Sequence, residues 1–378
     1  MIIITFVILL AYGLLIISFI IGFDKVREFK PKNNWKPITK FSIIIPFRNE
    51  TENLTPLLNS LALLEYPRDY FEIIMIDDDS SDNSVELIQE FLLKHLGVEN
   101  NISIIKNIRT SNSPKKDAIN TAMQQAQFDW IITTDADCIV PSKWLNTFDA
   151  FIQINRPKLI AAPVKYTIDN SFLEQFQSLD FLSLQASTIG GFGIGKPFLC
   201  NGANLCYNKK TFLDVKGFTG NENLASGDDI FLLEKITEQY PDEVHFLKSY
   251  DVIVRTKPQS TFKALTAQRI RWAAKSSSYK NNFTKLVGIS VFLMNSWLVI
   301  ALLLLIFNQF LWYCLLILFS IKLILDGILT YKYHAFSKQN FKIFNFIMSS
   351  LYYPFFSMFV ALTSIKTNFI WKGRQFKK

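Results

Sequence analysis

The chain has 378 residues, of which 49% are hydrophobic and only 19% charged, with a formal net charge of +8. Four cysteines are too few for a disulfide framework at this length, and three scattered histidines exclude a histidine-built zinc site, so any metal must sit on carboxylates. Collagenous, coiled-coil and disordered chains are excluded by the same composition.

Met1–Phe23 carries no charge and is long enough to cross a bilayer, which takes about 20 apolar residues. No basic residue precedes the run and no small-residue cleavage site follows it, so it reads as a retained anchor rather than a signal peptide. Residues 24–256 then alternate short apolar runs with helical patterns. Phe41–Pro46 reads as a buried strand, and Glu52–Leu64 as a helix with Leu54, Leu57, Leu58, Leu61 and Leu64 on one face. Phe71–Ile76 is a second strand running into Asp77, Asp78 and Asp79. A helix follows through Val85, Ile88, Phe91 and Leu92, with Asp82 or Ser84 as its cap. Ile102–Lys106 is a third strand, Ala118–Gln125 a helix, and Trp130–Thr134 a fourth strand ending in Asp135-Ala136-Asp137. This alternation predicts an α/β, Rossmann-like, mostly parallel sheet, with its site beyond the carboxyl ends of the strands.

The polar clusters fall at those ends. Asp135 and Asp137 flank one residue, so in extended geometry their side chains share a side. They form either a solvated turn or a hard-oxygen site for Mg²⁺ or Mn²⁺ carrying a phosphate. Three adjacent aspartates at 77–79 repel one another and need donors, from a bound base or ribose or from helix amides. Asp228 and Asp229 lie in a loop before Phe231–Ile236, as a helix cap or as a general base. Gly190–Gly195 has nucleotide-fingerprint glycines, but no strand precedes them and Pro197 follows, so a flexible loop is expected.

Residues 257–285 read as an amphipathic interfacial region. In it Gln268 and Trp272 share a helix face with Arg271 adjacent, either as headgroup-seeking residues or as a donor fork with an aromatic platform. Residues 286–330 hold two crossings with a turn near Asn308-Gln309, and Lys322 and Asp326, one turn apart, are placed to pair. Ile343–Ile365 is a third segment interrupted by Pro354, and 366–378 is a basic tail. Basic clusters at Lys25–Lys32, Lys332–Lys342 and Lys372–Lys378 all ask for the cytoplasmic side, which makes the long central region cytoplasmic. Three crossings after the domain put the tail outside; a re-entrant hairpin broken at Pro354 restores it to the cytoplasm. Juxtamembrane basic residues account for the positive charge without nucleic acid as a partner.

In order, IIIPFRNE (43–50), IDDDSSD (76–82), KKDAIN (115–120), TDAD (134–137), NGANLCYNKKTFLDVKGF (201–218), SGDD (226–229), QRIRW (268–272) and WKGR (371–374) resemble the membrane-bound family 2 glycosyltransferases with a GT-A catalytic domain. The resemblance implies a nucleotide-sugar donor, with a uridine diphosphate sugar the family's usual one. It places Asp78 at the base near Pro46–Glu50, Lys115 in the donor pocket, Asp135 on the donor and Asp137 on the metal. Asp229 becomes the catalytic base, with Asp228 beside it, and Gln268, Arg271 and Trp272 close over the diphosphate and acceptor. It also favours a cytosolic tail. A membrane lipid is the first acceptor expected and a growing polysaccharide the second. Asp79 and Pro114 stand where the family often has glycine, and Asp228 where it has glutamate.

Overall fold

The computed structural model describes all residues except 33–34, 95–100, 170, 223, 225, 340–341, 367–368, 372–373 and 377–378, together with the side chains of 276–277 and 366–378. Lys372 and Gly373 of the WKGR stretch, and Lys377 and Lys378 of the tail, therefore lie outside the described residues.

The chain opens with α1 (Ile2–Lys25). It continues through β1 (Phe41–Phe47), α2 (Thr51–Ala62), β2 (Phe71–Asp77), α3 (Ser84–Lys94), β3 (Ile102–Lys106), α4 (Pro114–Gln125) and β4 (Trp130–Thr133). Next come α5 (Trp144–Asn155), β5 (Leu159–Ala161), β6 (Val164–Tyr166), α6 (Phe172–Gly193), β7 (Leu205–Asn208) and α7 (Lys209–Asp214). Then follow α8 (Asp228–Gln239), β8 (Val244–Phe246), β9 (Val254–Thr256) and α9 (Phe262–Ala274). The last elements are α10 (Asn282–Ile306), α11 (Trp312–Ser337), α12 (Ile343–Lys366), β10 (Phe369–Trp371) and β11 (Arg374–Phe376).

Seven strands form one sheet in the order β3-β2-β1-β4-β7-β5-β8. The four predicted strands are its parallel half, with Ile43 opposite Ile73 and Ile132. The second half is mixed, because β7 enters antiparallel between β4 and β5. Side chains alternate across β1: Phe41, Ile43 and Ile45 join the core under α2 and α5, while Ile44 points to the other face, under α4. On that second face the core runs on without a break into Phe19, Ile16 and Tyr12 of α1 and into Met294 and Leu318 of α10 and α11.

Among the described residues four helices, α1, α10, α11 and α12, are long and apolar enough to cross a membrane. The turn at Asn308 (φ 55°) separates α10 from α11 as expected, and Lys322 pairs with Asp326 at 2.5 Å, with Tyr12 Oη donating to the same carboxylate at 2.6 Å. Two expectations are corrected. Pro354 does not break α12: the helix runs through it, its freed carbonyl being a smaller perturbation than a chain reversal. Gly190, Gly191 and Gly193 are not a flexible loop but the last turn of α6. There Gly190 and Gly193 let its backbone touch that of α1 at Phe19 and Gly22, where a Cβ would collide, while Gly191 lies against Phe198.

Candidate active site

The acidic pair Asp228-Asp229 does not sit in a loop but opens α8, after Gly227 at φ 87° turns the chain into the helix. The location suits carboxylates, since the first turn leaves amides without intrahelical partners. Asp229 Oδ1 accepts from the Ile230 N–H at 2.8 Å and Oδ2 from the Gly202 N–H at 3.2 Å. Space at Gly202 is tight: a Cβ there would stand 3.1 Å from Asp228 Oδ2 and 3.3 Å from Lys115 Nζ, so both would have to shift.

Lys115 leaves the first turn of α4 and bridges two acidic clusters. Its Nζ is 2.5 Å from Asp135 Oδ1 and 3.5 Å from Asp228 Oδ2. Burial pulls its ammonium down, but Asp135 and Asp228 prevail and hold it above the ordinary lysine value. Burial also pushes both aspartates of α8 up. At Asp229, Lys275, Lys115 and the two amides outweigh burial and hold the carboxyl below its usual range. At Asp228, burial with Asp229 and Asp135 prevails over Lys115, and the carboxyl is raised. Asp229 is thus the more acidic member of the pair, and Asp228 the one whose charge its surroundings oppose.

Asp135 and Asp137 follow β4 directly. Burial, then Asp135 and Glu50, pushes the Asp137 carboxyl up to about 6. An accumulation of carboxylate charge that a proton relieves is one that a divalent cation relieves better. Among the described residues no group of three or more His, Cys, Asp or Glu is arranged around such an ion. Two carboxylates fit Mg²⁺ or Mn²⁺ nevertheless, since these ions commonly take one or two carboxylates and complete their shell with substrate phosphates and water.

The residues expected at the donor's base gather at the adjacent ends of β1 and β2. Pro46 lies on β1, and Glu50 caps α2 and accepts from Asn53 Nδ2 at 2.8 Å. Asp78 is 5% exposed and engaged by Arg109 at 2.8 and 3.0 Å and by Asn107 Nδ2 at 2.7 Å. The repulsion among residues 77–79 is offset by this chain's own donors: Ser80 N–H for Asp77, Arg109 and Asn107 for Asp78, and Arg48 for Asp79. Arg48, Arg109 and Asn107 escape a reading of spacing, since each reaches Asp78 or Asp79 across about thirty residues. Lys116, also missed, is 1% exposed; its Nζ donates to the carbonyls of Asn221 and Leu224 at 2.6 and 2.9 Å and stands 4.9 Å from the centre of the Phe231 ring.

QRIRW lies within α9, which puts Gln268 and Trp272 one turn apart on one side with Arg271 adjacent, but its members divide. Burial holds the Arg271 guanidinium below its ordinary value, although Asp135, Asp228 and Asp229 support its charge. Gln268 and Trp272 instead serve Arg269: Gln268 Oε1 accepts from its guanidinium at 2.5 Å, and the guanidinium lies 4.3 Å above Trp272. Arg269 is itself tied to Asp180 of α6 at 2.7 Å. Lys275, one turn beyond Arg271, places Nζ 3.8 Å from Asp229 Oδ1. The i,i+4 spacing from Arg271 is the sequence signal that would have found it.

A mixed sheet with two acidic strand ends and a helix-borne acid pair is a GT-A arrangement, and the comparisons agree. The chain belongs to the family described as "Glycosyl transferase family group 2", which matches residues 130–363, and the "Glycosyl transferase family 2" description matches 42–212. It is a glycosyltransferase. It is 29% identical to the poly(ribitol-phosphate) beta-N-acetylglucosaminyltransferase TarS of Staphylococcus aureus over 126 residues, 33% of this chain and 21% of that protein. It is 25% identical to the glycosyltransferase AglE of Haloferax volcanii over 52% of this chain and 61% of the relative. It is also 25% identical to a poly-beta-1,6-N-acetyl-D-glucosamine synthase of Staphylococcus epidermidis, over 64% of this chain and 56% of the relative. The matches thus span less than two thirds of these relatives' own length. Among solved structures, the mannosyltransferase PcManGT of Pyrobaculum calidifontis, in complex with GDP-Man and Mn²⁺, has the same fold. Its TM-score is 0.60 at 14% identity, covering 96% of this chain and 98% of that one.

Proposed function

We propose that the chain transfers a sugar, with inversion, from a nucleoside-diphosphate sugar to a hydroxyl of a membrane lipid at the cytosolic face of the membrane. The observation that carries this reading is the setting of Asp229. Both of its oxygens are oriented by backbone amides, and the charges of Lys275, Lys115 and Arg271 act on it and favour its carboxylate form. A base oriented beside cations fits a reaction that removes a proton from an acceptor while negative charge departs as a diphosphate.

In this reading the end of β1 and Asp78 receive the nucleoside, and a uridine diphosphate sugar is the first donor to try. Lys115 holds Asp135 in place at the sugar side. Asp229 takes the acceptor hydroxyl's proton as its oxygen approaches the anomeric carbon from the side opposite the nucleotide. Arg271 stabilises the charge that develops on the leaving diphosphate. Asp137, with Asp135, would hold Mg²⁺ or Mn²⁺, which when bound supplies Lewis-acid neutralisation of the diphosphate.

The lipid acceptor and the membrane setting are supported by how the apolar helices join the domain. The core under the sheet continues into α1, α10 and α11, and an apolar cavity lined by Leu298, Trp312, Phe319, Pro354 and Phe355 lies between α10, α11 and α12. Polysaccharide synthesis is the second reading, favoured by the match to a poly-beta-1,6-N-acetyl-D-glucosamine synthase.

The test is transfer from labelled nucleotide sugars to total membrane lipid with Mg²⁺ or Mn²⁺. Asp229→Asn should lower turnover by about 10²–10⁴-fold and keep nucleotide affinity. Near-normal turnover in that variant rejects Asp229 as the base. Label in high-mass, lipid-free material replaces the first reading with the second.

A further inference from the structure

A lysine outside every recognised motif stands at the acid pair. Lys275 follows α9, its side chain is 13% exposed, and its Nζ is 3.8 Å from Asp229 Oδ1. At that distance the charges attract without a hydrogen bond. Asp229 is already served by the Ile230 and Gly202 amides, so the ammonium is attracted there but not required there. Lys115, by contrast, is held at 2.5 Å by Asp135. Lys275 lies four residues after Arg271, just past the end of α9, and Asp228 and Asp229 act on both cations. A seat is made for its stem as well. Gly227, at φ 87°, lies beneath it, and a Cβ there would be 3.3 Å from Lys275 Cδ.

Resting on the reading that Asp229 is the base and a nucleoside diphosphate the leaving group, we propose that Lys275 is a diphosphate ligand beside Arg271. It stands by Asp229 in the free enzyme and turns to the phosphate oxygens when the donor binds. The physical reason is competition. A diphosphate offers at least two negative charges and several free oxygens, whereas Asp229 offers one charge whose oxygens already accept amide hydrogens. Lysine suits the exchange, being a compact charge on a flexible four-carbon stem. Its departure withdraws one of the cations facing Asp229 and leaves Oδ1 open toward the acceptor, while the Ile230 and Gly202 amides keep the carboxylate in place. The same movement orders the reaction, donor before acceptor.

The experiment measures UDP and GDP binding, each with Mn²⁺, to the full chain in detergent. It compares the wild type with Lys275→Met, Lys275→Arg and Asp229→Asn. A lost charge-assisted contact should weaken binding about tenfold or more in Lys275→Met, with Lys275→Arg close to wild type and Asp229→Asn not weakened. Wild-type affinity in Lys275→Met, with Asp229→Asn inactive in transfer, overturns this inference and leaves the proposed function standing. Equal loss in Lys275→Arg also overturns it, since charge is then not what binds. Failure of the wild type to bind either nucleotide overturns the donor reading and this inference together. An arm independent of any variant follows trace acetylation of Lys275 in the wild type by mass spectrometry. The nucleotide should lower labelling several-fold, and unchanged labelling rejects the contact.

Discussion

At the scale of single residues, Asp82 shows how much of the donor side is held by charge meeting backbone. Its carboxylate accepts from Thr51 N–H at 3.2 Å, Thr51 Oγ1 at 2.5 Å and Ser84 N–H at 3.1 Å, tying the start of α2 to the start of α3. Burial tends to raise its pKa, but the bonds from Ser84 and Thr51 prevail and hold it at about 2, below the ordinary 3.8. A depressed carboxyl contributes stability that is complete above the unfolded value and is lost as pH falls through the folded one. Asp82→Asn should therefore unfold more easily than the wild type at neutral pH, and the difference should narrow between about pH 4 and pH 2. A difference independent of pH, in denaturant titrations across that range, would show that the ionised form is not what binds the two helix starts. The sequence announces Asp82 as a cap, because capping is a local matter of one or two residues. It does not announce Arg109 on Asp78 or Lys275 on Asp229, because residues 31 and 46 positions apart meet only through the sheet and helices between them.

Between elements, α1 and α6 approach until their backbones touch. Gly22 of α1 faces Gly190 and Gly193 of α6, and Phe19 stacks on Phe198 with ring centres 5.3 Å apart. Gly190→Ala places a methyl group where the Phe19 backbone stands, so the helices must separate. Destabilisation of about 1–3 kcal/mol is expected, as for other overpacked sites, and is readable as a lower melting temperature in detergent. An unchanged melting temperature would mean that the two helices already slide apart freely. Periodicity made the parallel strands and the long apolar helices legible, since both are patterns within one element. The glycines of α6 misled for the converse reason. Glycine signals either freedom or close approach, and only the position of the second helix decides between them.

At the scale of the whole molecule, α12 decides where the chain's last residues lie. Phe356 and Val360, in its second half, share a small core with Phe176 of α6 and Leu265 of α9, and β10 lies against α9. These neighbours belong to the catalytic side, and the basic residues of the tail ask for the same side. A protease-cleavable tag added after residue 378 should accordingly be cut in sealed vesicles that expose the catalytic domain, and protected in vesicles of opposite orientation. The reverse pattern would make α12 a full crossing.

The end of α1 is fastened by Lys248, whose Nζ donates to the carbonyls of Phe23 and Val26 at 3.1 Å each and stands 3.9 Å from the centre of the Phe23 ring. Lys332 adds a pair with Asp24 at 2.8 Å. A helix attached in this way is not an exchangeable tether. Deleting it would take away the partners of the Lys248 ammonium and lay bare the apolar floor of the sheet, so a trimmed catalytic fragment should aggregate rather than dissolve. Nor could an unrelated hydrophobic helix be grafted in its place, because a substitute would need its own small residue opposite Gly190 and its own carbonyls within reach of Lys248. Mutational drift in the first helix is therefore confined by residues some two hundred positions away.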